Sequence, residues 1–324
     1  MKTIPELHEC ISQALAAVPF DRQPKTLYDP IQYALSLGGK RMRPMLLLMA
    51  YQLYKEDIDT AMSAALGIEY YHNFTLLHDD VMDRADIRRG KPTVHKVWNE
   101  TAAILSGDNM LVMAFRFMAD VPVRHLKAVM DLFIETSQQV GEGQQMDLDF
   151  ESRMDVQEEE YIEMIRLKTS VLPACALGIG AILADAPEKD VRTLYEFGIN
   201  LGLSFQLQDD LLDVYGDPAT FGKNIGGDIL CNKKTFMLIQ ALKEADQQQR
   251  AELSGWLTRE HFDPKEKIAA VTRIYDTVGV RQLAEDKINY YFKAALSALD
   301  AVQLPTERKQ VLLDMAYQLL HRKS

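Results

Sequence analysis

Two acidic triplets have the residue types and spacing to do chemistry: Asp79, Asp80 and Asp83 in HDDVMD, and Asp209, Asp210 and Asp213 in QDDLLD. On a helix, the first and last aspartates of each triplet fall one turn apart on one face, with about 5–6 Å between Cβ atoms. Like charges so placed weaken a helix by about a few tenths of a kcal/mol. A divalent cation between them reverses that sign. Oxygen-only ligands favour Mg2+ or Mn2+ over zinc. Mg2+ takes one or two carboxylates and completes its shell with water and substrate phosphate. One DDxxD alone is more often a solvated acidic face. Two of them, preceded by the mostly apolar runs FTLLH and FQLQ, point to a metal–phosphate site.

Such a site also needs cationic donors. LGGKRMRP supplies Lys40, Arg41 and Arg43, RADIRRGKP supplies Arg88 and Arg89, and FGKNIGGDILCNKKT supplies Lys223, Lys233 and Lys234. Arginine forks grip phosphate oxygens bidentately, and lysine acts as a mobile point charge. Any one such cluster is ordinarily a solvated loop, but here one follows each acidic triplet and another lies upstream. His72 and His78, on the run entering the first triplet, are of a kind that usually packs. The sequence holds no His/Cys zinc spacing, GxSxG elbow, P-loop or GxGxxG.

The elements that must position these groups are read from punctuation and period. The chain has 324 residues, with 17 glycines and 12 prolines, below the ~12% share these two usually take. Ala61, Ala64, Ile68, Tyr71, Phe74 and Leu77 recur at steps of three or four, and no long run alternates with period two. The expectation is an all-α chain forming one large domain over 1–324. Asp155 with Glu158 resembles a capping box for YIEMIRLKTS. Gly38-Gly39 closes the preceding helix, and Pro44 suits the first turn of the next. Arg84–His95 and Tyr215–Asp228 read as loops.

The net charge is −11, which disfavours nucleic acid as a partner. Three scattered cysteines suit a reducing cytosol. The N-terminus has no apolar core of a signal peptide, and the apolar stretch 171–184 is too short to cross a bilayer. A soluble, cytoplasmic protein without stable membrane insertion is expected.

The ordered set GGKRMRP, HDDVMDRADIRRGKPTVH, GQQMDL, RLKTS, FQLQDDLLDVYGD and GKNIGGDILCNKKT resembles the trans-isoprenyl diphosphate synthases, the farnesyl and geranylgeranyl diphosphate synthase family. The resemblance implies a helical bundle around a central active-site cavity, the isoprenoid synthase fold, assembled as a homodimer. It implies three Mg2+ per active site, with Mn2+ as a substitute. Asp79 and Asp83 would hold two of these ions and Asp209 the third, with Asp210 and Asp213 nearby through water. Arg88, Lys168 and Lys223 would contact an allylic diphosphate. Lys40, Arg43, His72 and Arg89 would hold isopentenyl diphosphate. Thr169 and Gln206 would line the reacting carbons, and Lys233 matches the last lysine of the second loop. The implied reaction is Mg-assisted ionisation, condensation and proton elimination.

The family sets product length with residues just before the first triplet, here Phe74 and Thr75, with Tyr70 and Tyr71 one turn further down. A ring at Phe74 resembles short-chain enzymes that accept C5 to C15 primers and make farnesyl (C15) or geranylgeranyl (C20) diphosphate. The alternatives are a longer-chain polyprenyl synthase, a class I terpene cyclase and a non-catalytic synthase subunit. A cyclase would need an NSE-type second motif, and a non-catalytic subunit usually loses aspartates; this chain has two intact triplets.

Overall fold

The computed structural model describes residues 1–216 and 225–320. Their elements, in chain order, are α1 (Ile4–Ala17), α2 (Lys25–Ser36), α3 (Met42–Gln52), α4 (Asp59–Met82), β1 (Ile87–Arg88), β2 (Lys91–Pro92), α5 (Val94–Val97), α6 (Glu100–Ala119), α7 (Val123–Glu151), α8 (Glu158–Ile165), a π-helical turn (Arg166–Ser170), α9 (Val171–Leu183) and α10 (Glu188–Tyr215). They continue with α11 (Gly227–Leu230), α12 (Phe236–Glu244), α13 (Gln247–Thr258), α14 (Pro264–Val278), α15 (Val280–Ala301) and α16 (Thr306–Leu320). The all-α expectation holds, with one two-stranded ribbon added.

The chain groups into two compact units. The first comprises Met1–Glu135, Cys175–Tyr195 and Val302–Leu312. Its heart is α3, apolar on every side and buried from Pro44 to Gln52, as a helix enclosed by others must be. Gly180 of α9 meets α3 so closely that a Cβ there would stand 2.1 Å from the Leu47 carbonyl oxygen. α4 and α6 approach in the same way: a Cβ on Gly107 would stand 2.4 Å from the His78 ring, and one on Gly67 3.0 Å from Met118.

The second unit comprises Thr136–Ala174, Glu196–Ala301 and Leu313–Ser324. Its core gathers Tyr161, Met164, Leu207, Leu211, Phe236, Val271 and Ile288, among others. Asp263 caps α14, accepting from the Lys265 and Glu266 amides at 2.8 and 3.0 Å, and Gly279 ends that helix at φ 74°, the usual left-handed stop.

Three local readings are corrected. The capping box of α8 joins Gln157 to Glu160; Asp155 instead pairs with Arg153 at 2.9 Å. The 84–95 segment contains an antiparallel ribbon, with Ile87 opposite Pro92 and Arg88 opposite Lys91. Its two turn residues, Arg89 and Gly90, both take positive φ (52° and 74°), the backbone of a type I′ two-residue hairpin. The 171–184 stretch belongs to a continuous helical run, Glu158–Leu183, which together with Glu100–Ala119 is long and apolar enough to cross a membrane. The Glu158–Leu183 run is mostly buried, as a core helix is.

Candidate active site

α4 carries the first triplet at its C-terminal end. The Asp83 amide donates to the Asp79 carbonyl at 2.8 Å, which fixes these two one turn apart. Asp79 is partly exposed, Asp83 exposed and Asp80 buried. Asp80 receives Arg88 through Nε at 2.9 Å and Nη2 at 2.6 Å, both on Oδ1. Burial pushes the Asp80 carboxyl up, against the pull of Arg88. The ribbon that presents Arg88 is anchored by Tyr33, whose hydroxyl donates to the Pro92 carbonyl at 2.8 Å. Thr93 ties down its far side, donating to the Ala85 carbonyl at 2.7 Å.

Upstream, Arg43 Nη1 lies 3.1 Å from His72 Nε2. A guanidinium only donates, so Nε2 accepts and the imidazole is neutral. Burial, then Arg43, Arg89, Arg88 and Arg41, hold His72 well below the ordinary histidine range. The Arg89 guanidinium sits where a Cβ on Gly39 would be, 2.7 Å from that position, and donates to the Gly38 carbonyl. Lys40 is exposed. Arg41, from the same cluster, turns inward to Glu69. The first unit thus brings Arg43, His72 and Arg89 together. His78 packs instead, against Gly107 and within 3.1 Å of the Ile104 carbonyl.

One turn before Asp79, Phe74 meets the His78 ring edge-to-face with centroids 4.7 Å apart and Tyr71 at a tilt, 5.5 Å away. Tyr71 meets Phe133 at 5.3 Å, and Phe133 meets Phe115 at 5.0 Å. Tyr70 faces another way, onto Phe117 at 5.0 Å, so Tyr71 alone extends the Phe74 stack. Thr75 donates to the His72 carbonyl at 2.8 Å.

The second unit builds around the π-helical turn. A Cβ on Gly143 would stand 2.4 Å from the Lys168 amide nitrogen, and one on Gly202 2.6 Å from Ser170. The two glycines let flanking helices close on this turn, and π-helical turns of this kind cluster at functional sites. Lys168 donates to Asp147 at 2.5 Å. Thr169 donates to Gln206 Oε1 at 3.1 Å, and Gln206 Nε2 donates to Asp210 Oδ1 at 3.0 Å. Tyr161 donates to the other Asp210 oxygen. Burial, with the Asp228 carboxylate beside it, pushes the Asp210 carboxyl up to about 8. Asp209 and Asp213 are partly exposed, and Asp213 Oδ2 accepts the Asp228 amide at 3.0 Å.

Of the basic residues after this triplet, Lys233 is exposed, while Lys234 is buried and donates to the Glu151 carbonyl at 3.0 Å. Lys223 lies outside the described residues. Sequence reasoning missed Tyr161, Glu69, Asn73 and the role of Asp147. The glycines inside helical runs, Gly143 and Gly202, were the available signal, because an internal helical Gly marks close approach.

The two triplets share one design. In each, the middle aspartate is buried and held by side-chain donors, and the outer two lie one turn apart and are more exposed. Among the described residues no three His, Cys, Asp or Glu side chains already converge on a cation site. Pairs of carboxylate oxygens that need further oxygens from a ligand fit Mg2+.

A helical protein with two such triplets, flanked by guanidinium and ammonium groups, has the residue types suited to binding phosphate esters together with divalent cations. The comparisons make this specific. The polyprenyl synthetase family model matches residues 24–275. The short chain isoprenyl diphosphate synthase of Methanocaldococcus jannaschii is 42% identical over 228 residues, 70% of this chain and 69% of that protein. The geranylgeranyl diphosphate synthase of Methanosarcina mazei is 43% identical over 225 residues, 68% and 69% of the two. A crystal structure of a geranylgeranyl pyrophosphate synthase matches with a TM-score of 0.95 at 43% identity, covering 100% of both chains. The chain belongs to the polyprenyl synthetase family. It is a prenyltransferase with the helical isoprenoid synthase fold.

Proposed function

We propose that the protein is a short-chain isoprenyl diphosphate synthase that joins isopentenyl diphosphate to an allylic diphosphate, ending at C20 or C15. The observation that carries this reading is the shared design of the two triplets, each with a buried, fixed middle aspartate and a more exposed outer pair one turn apart. The name of the Methanosarcina mazei relative at 43% identity favours C20 within that range. Asp79, Asp83, Asp209 and Asp213 would hold Mg2+, which when bound neutralises diphosphate charge.

Arg88, Lys168 and Lys223 bind the allylic diphosphate and stabilise the negative charge that grows as its C–O bond breaks. Asp147 aims the Lys168 ammonium. Lys40, Arg43, His72 and Arg89 bind isopentenyl diphosphate, whose double bond attacks the cation. Lys233 adds a further cation beside the second triplet. The Thr169–Gln206–Asp210 chain fixes the hydroxyl that lines the reacting carbons. No protein carboxylate acts as the base; the proton lost after condensation goes to the departing diphosphate.

The aromatic stack of Phe74, Tyr71, Phe133 and Phe115 supports a closed pocket floor and so a short product. Exposed Leu105 and Val112 on α6, seven residues apart on one face, favour a homodimer. The reading includes one functional domain and a cytoplasmic enzyme. Its test is consumption of isopentenyl diphosphate with C5, C10 and C15 allylic primers in Mg2+, followed by chromatography of the dephosphorylated products.

A further inference from the structure

The GGKRMRP segment takes a costly backbone. Gly38 and Gly39 have φ 77° and 131°, and Arg41, a residue with a Cβ, has φ 47°. Non-glycine residues rarely adopt this left-handed conformation. The Arg41 side chain, 7% exposed, enters the core as part of an ion pair with Glu69, which is 2% exposed. One fork nitrogen meets Glu69 Oε1 at 2.5 Å, and the other meets the Leu35 carbonyl at 2.6 Å. Asn73 Nδ2 donates to the same Glu69 oxygen and to the Glu69 carbonyl, both at 2.8 Å. The second carboxylate oxygen of Glu69 has no hydrogen-bond partner.

A buried ion pair is a poor stabiliser compared with apolar residues of similar volume, so its presence calls for another reason. The geometry offers one. Arg41 clamps the turn from Gly38 to Arg43 onto α4 between Lys40, which faces solvent, and Arg43, which lies on His72. Glu69 and His72 are three residues apart on α4 and Asn73 is four from Glu69, so clamp and anion-binding face share one helix. Rotating the Arg41 backbone out of its left-handed well would redirect both cations.

We propose that Arg41, Glu69 and Asn73 are positioning residues for the isopentenyl diphosphate subsite, fixing Lys40 and Arg43 without touching the substrate. This rests on the reading of Lys40, Arg43, His72 and Arg89 as that subsite. The clamp serves one substrate only, so its loss is one-sided.

The test is steady-state kinetics on the full-length Glu69→Gln and Arg41→Lys variants, with Lys40→Ala as a control. Lysine cannot span Glu69 and the Leu35 carbonyl as the fork does. The expected result is a rise of at least about tenfold in KM for isopentenyl diphosphate, with kcat and the allylic KM within about threefold, the split that marks lost uniform binding. Amide hydrogen exchange over 38–43 should quicken in both variants. An unchanged KM for isopentenyl diphosphate in folded variants, beside a raised one in Lys40→Ala, overturns the positioning role and leaves the subsite reading intact. Equal losses in both KM values and kcat, or failure of both variants to fold, also reject it. A Lys40→Ala control without effect removes the subsite reading and the proposal together.

Discussion

Arg88 grips Asp80 through two nitrogens of its fork, at 2.9 and 2.6 Å, on a single carboxylate oxygen. The middle aspartate of the first triplet is therefore buried and engaged by the protein, while Asp79 and Asp83 are more exposed. In the second triplet Asp210 is engaged by Tyr161 and Gln206 instead. Two unrelated local solutions reach the same end: an outer pair of carboxylates one turn apart, held on a rigid helix.

Removing an outer aspartate should abolish turnover without unfolding the protein. Asp79→Ala and Asp209→Ala should each lower kcat by at least about 10²–10³-fold, the scale of losing a preorganised electrostatic contact. Both positions are partly exposed, so stability should stay within about 0.5 kcal/mol of the parent. Kinetics in Mg2+ and denaturant titration together check this. Normal turnover in either variant counts against the metal site.

Opening the aromatic stack should lengthen the product. Phe74 contacts both Tyr71 and His78, so Phe74→Ala removes one ring of this cluster. The dephosphorylated products should gain at least one isoprene unit by reversed-phase chromatography. An unchanged length would remove Phe74 as the stop.

The neutrality of His72 fixes the sign of a pH effect. Its folded pKa lies well below the ordinary 6.5, so below that pH the unfolded chain binds a proton that the folded chain refuses. The stability contribution is present above pH 6.5 and is lost as pH falls toward the folded value. Melting curves between pH 7.5 and 5 should show a smaller acid loss in His72→Gln than in the parent. Parallel curves would mean that His72 is not held neutral.

Helical glycines should separate cleanly by what their missing Cβ would meet. Gly180→Ala drives a methyl to 2.1 Å from the Leu47 carbonyl and should cost about 1–3 kcal/mol through overpacking. Gly141, inside α7 with nothing within 4 Å, should gain up to about 1 kcal/mol as alanine, from helix propensity. Urea unfolding of the two variants measures both. A Gly180→Ala protein as stable as the parent would mean that α3 and α9 can part without cost.

Much of the fold and site was legible because its signals are local. Asp79 and Asp83 announce their geometry by spacing alone, and Thr169 with Gln206 came from the ordered motifs and do meet. What was not legible depends on packing between distant residues. Tyr70 and Tyr71 both lie within reach of Phe74 along a helix, and only the neighbours, Phe117 for one and Phe133 for the other, decide which joins the stack. The π-helical turn at Lys168 forms where Gly143 and Gly202 let other helices close in, and no pattern within RLKTS reveals it. The α8 capping box moved from Asp155 to Gln157 because Arg153 draws both Asp155 and Glu160. Lys233 and Lys234 are adjacent and alike in sequence, yet burial spends one on a carbonyl and leaves the other exposed.

The most direct measurement is a product assay with isopentenyl diphosphate and labelled C15 allylic diphosphate, with and without Mg2+. The account predicts Mg2+-dependent loss of both substrates and a single C20 alcohol after dephosphorylation; an enzyme that ends at C15 leaves the C15 substrate intact and builds C15 from isopentenyl diphosphate and C5 or C10 primers. Release of diphosphate from the allylic substrate alone, with no uptake of isopentenyl diphosphate, would contradict it.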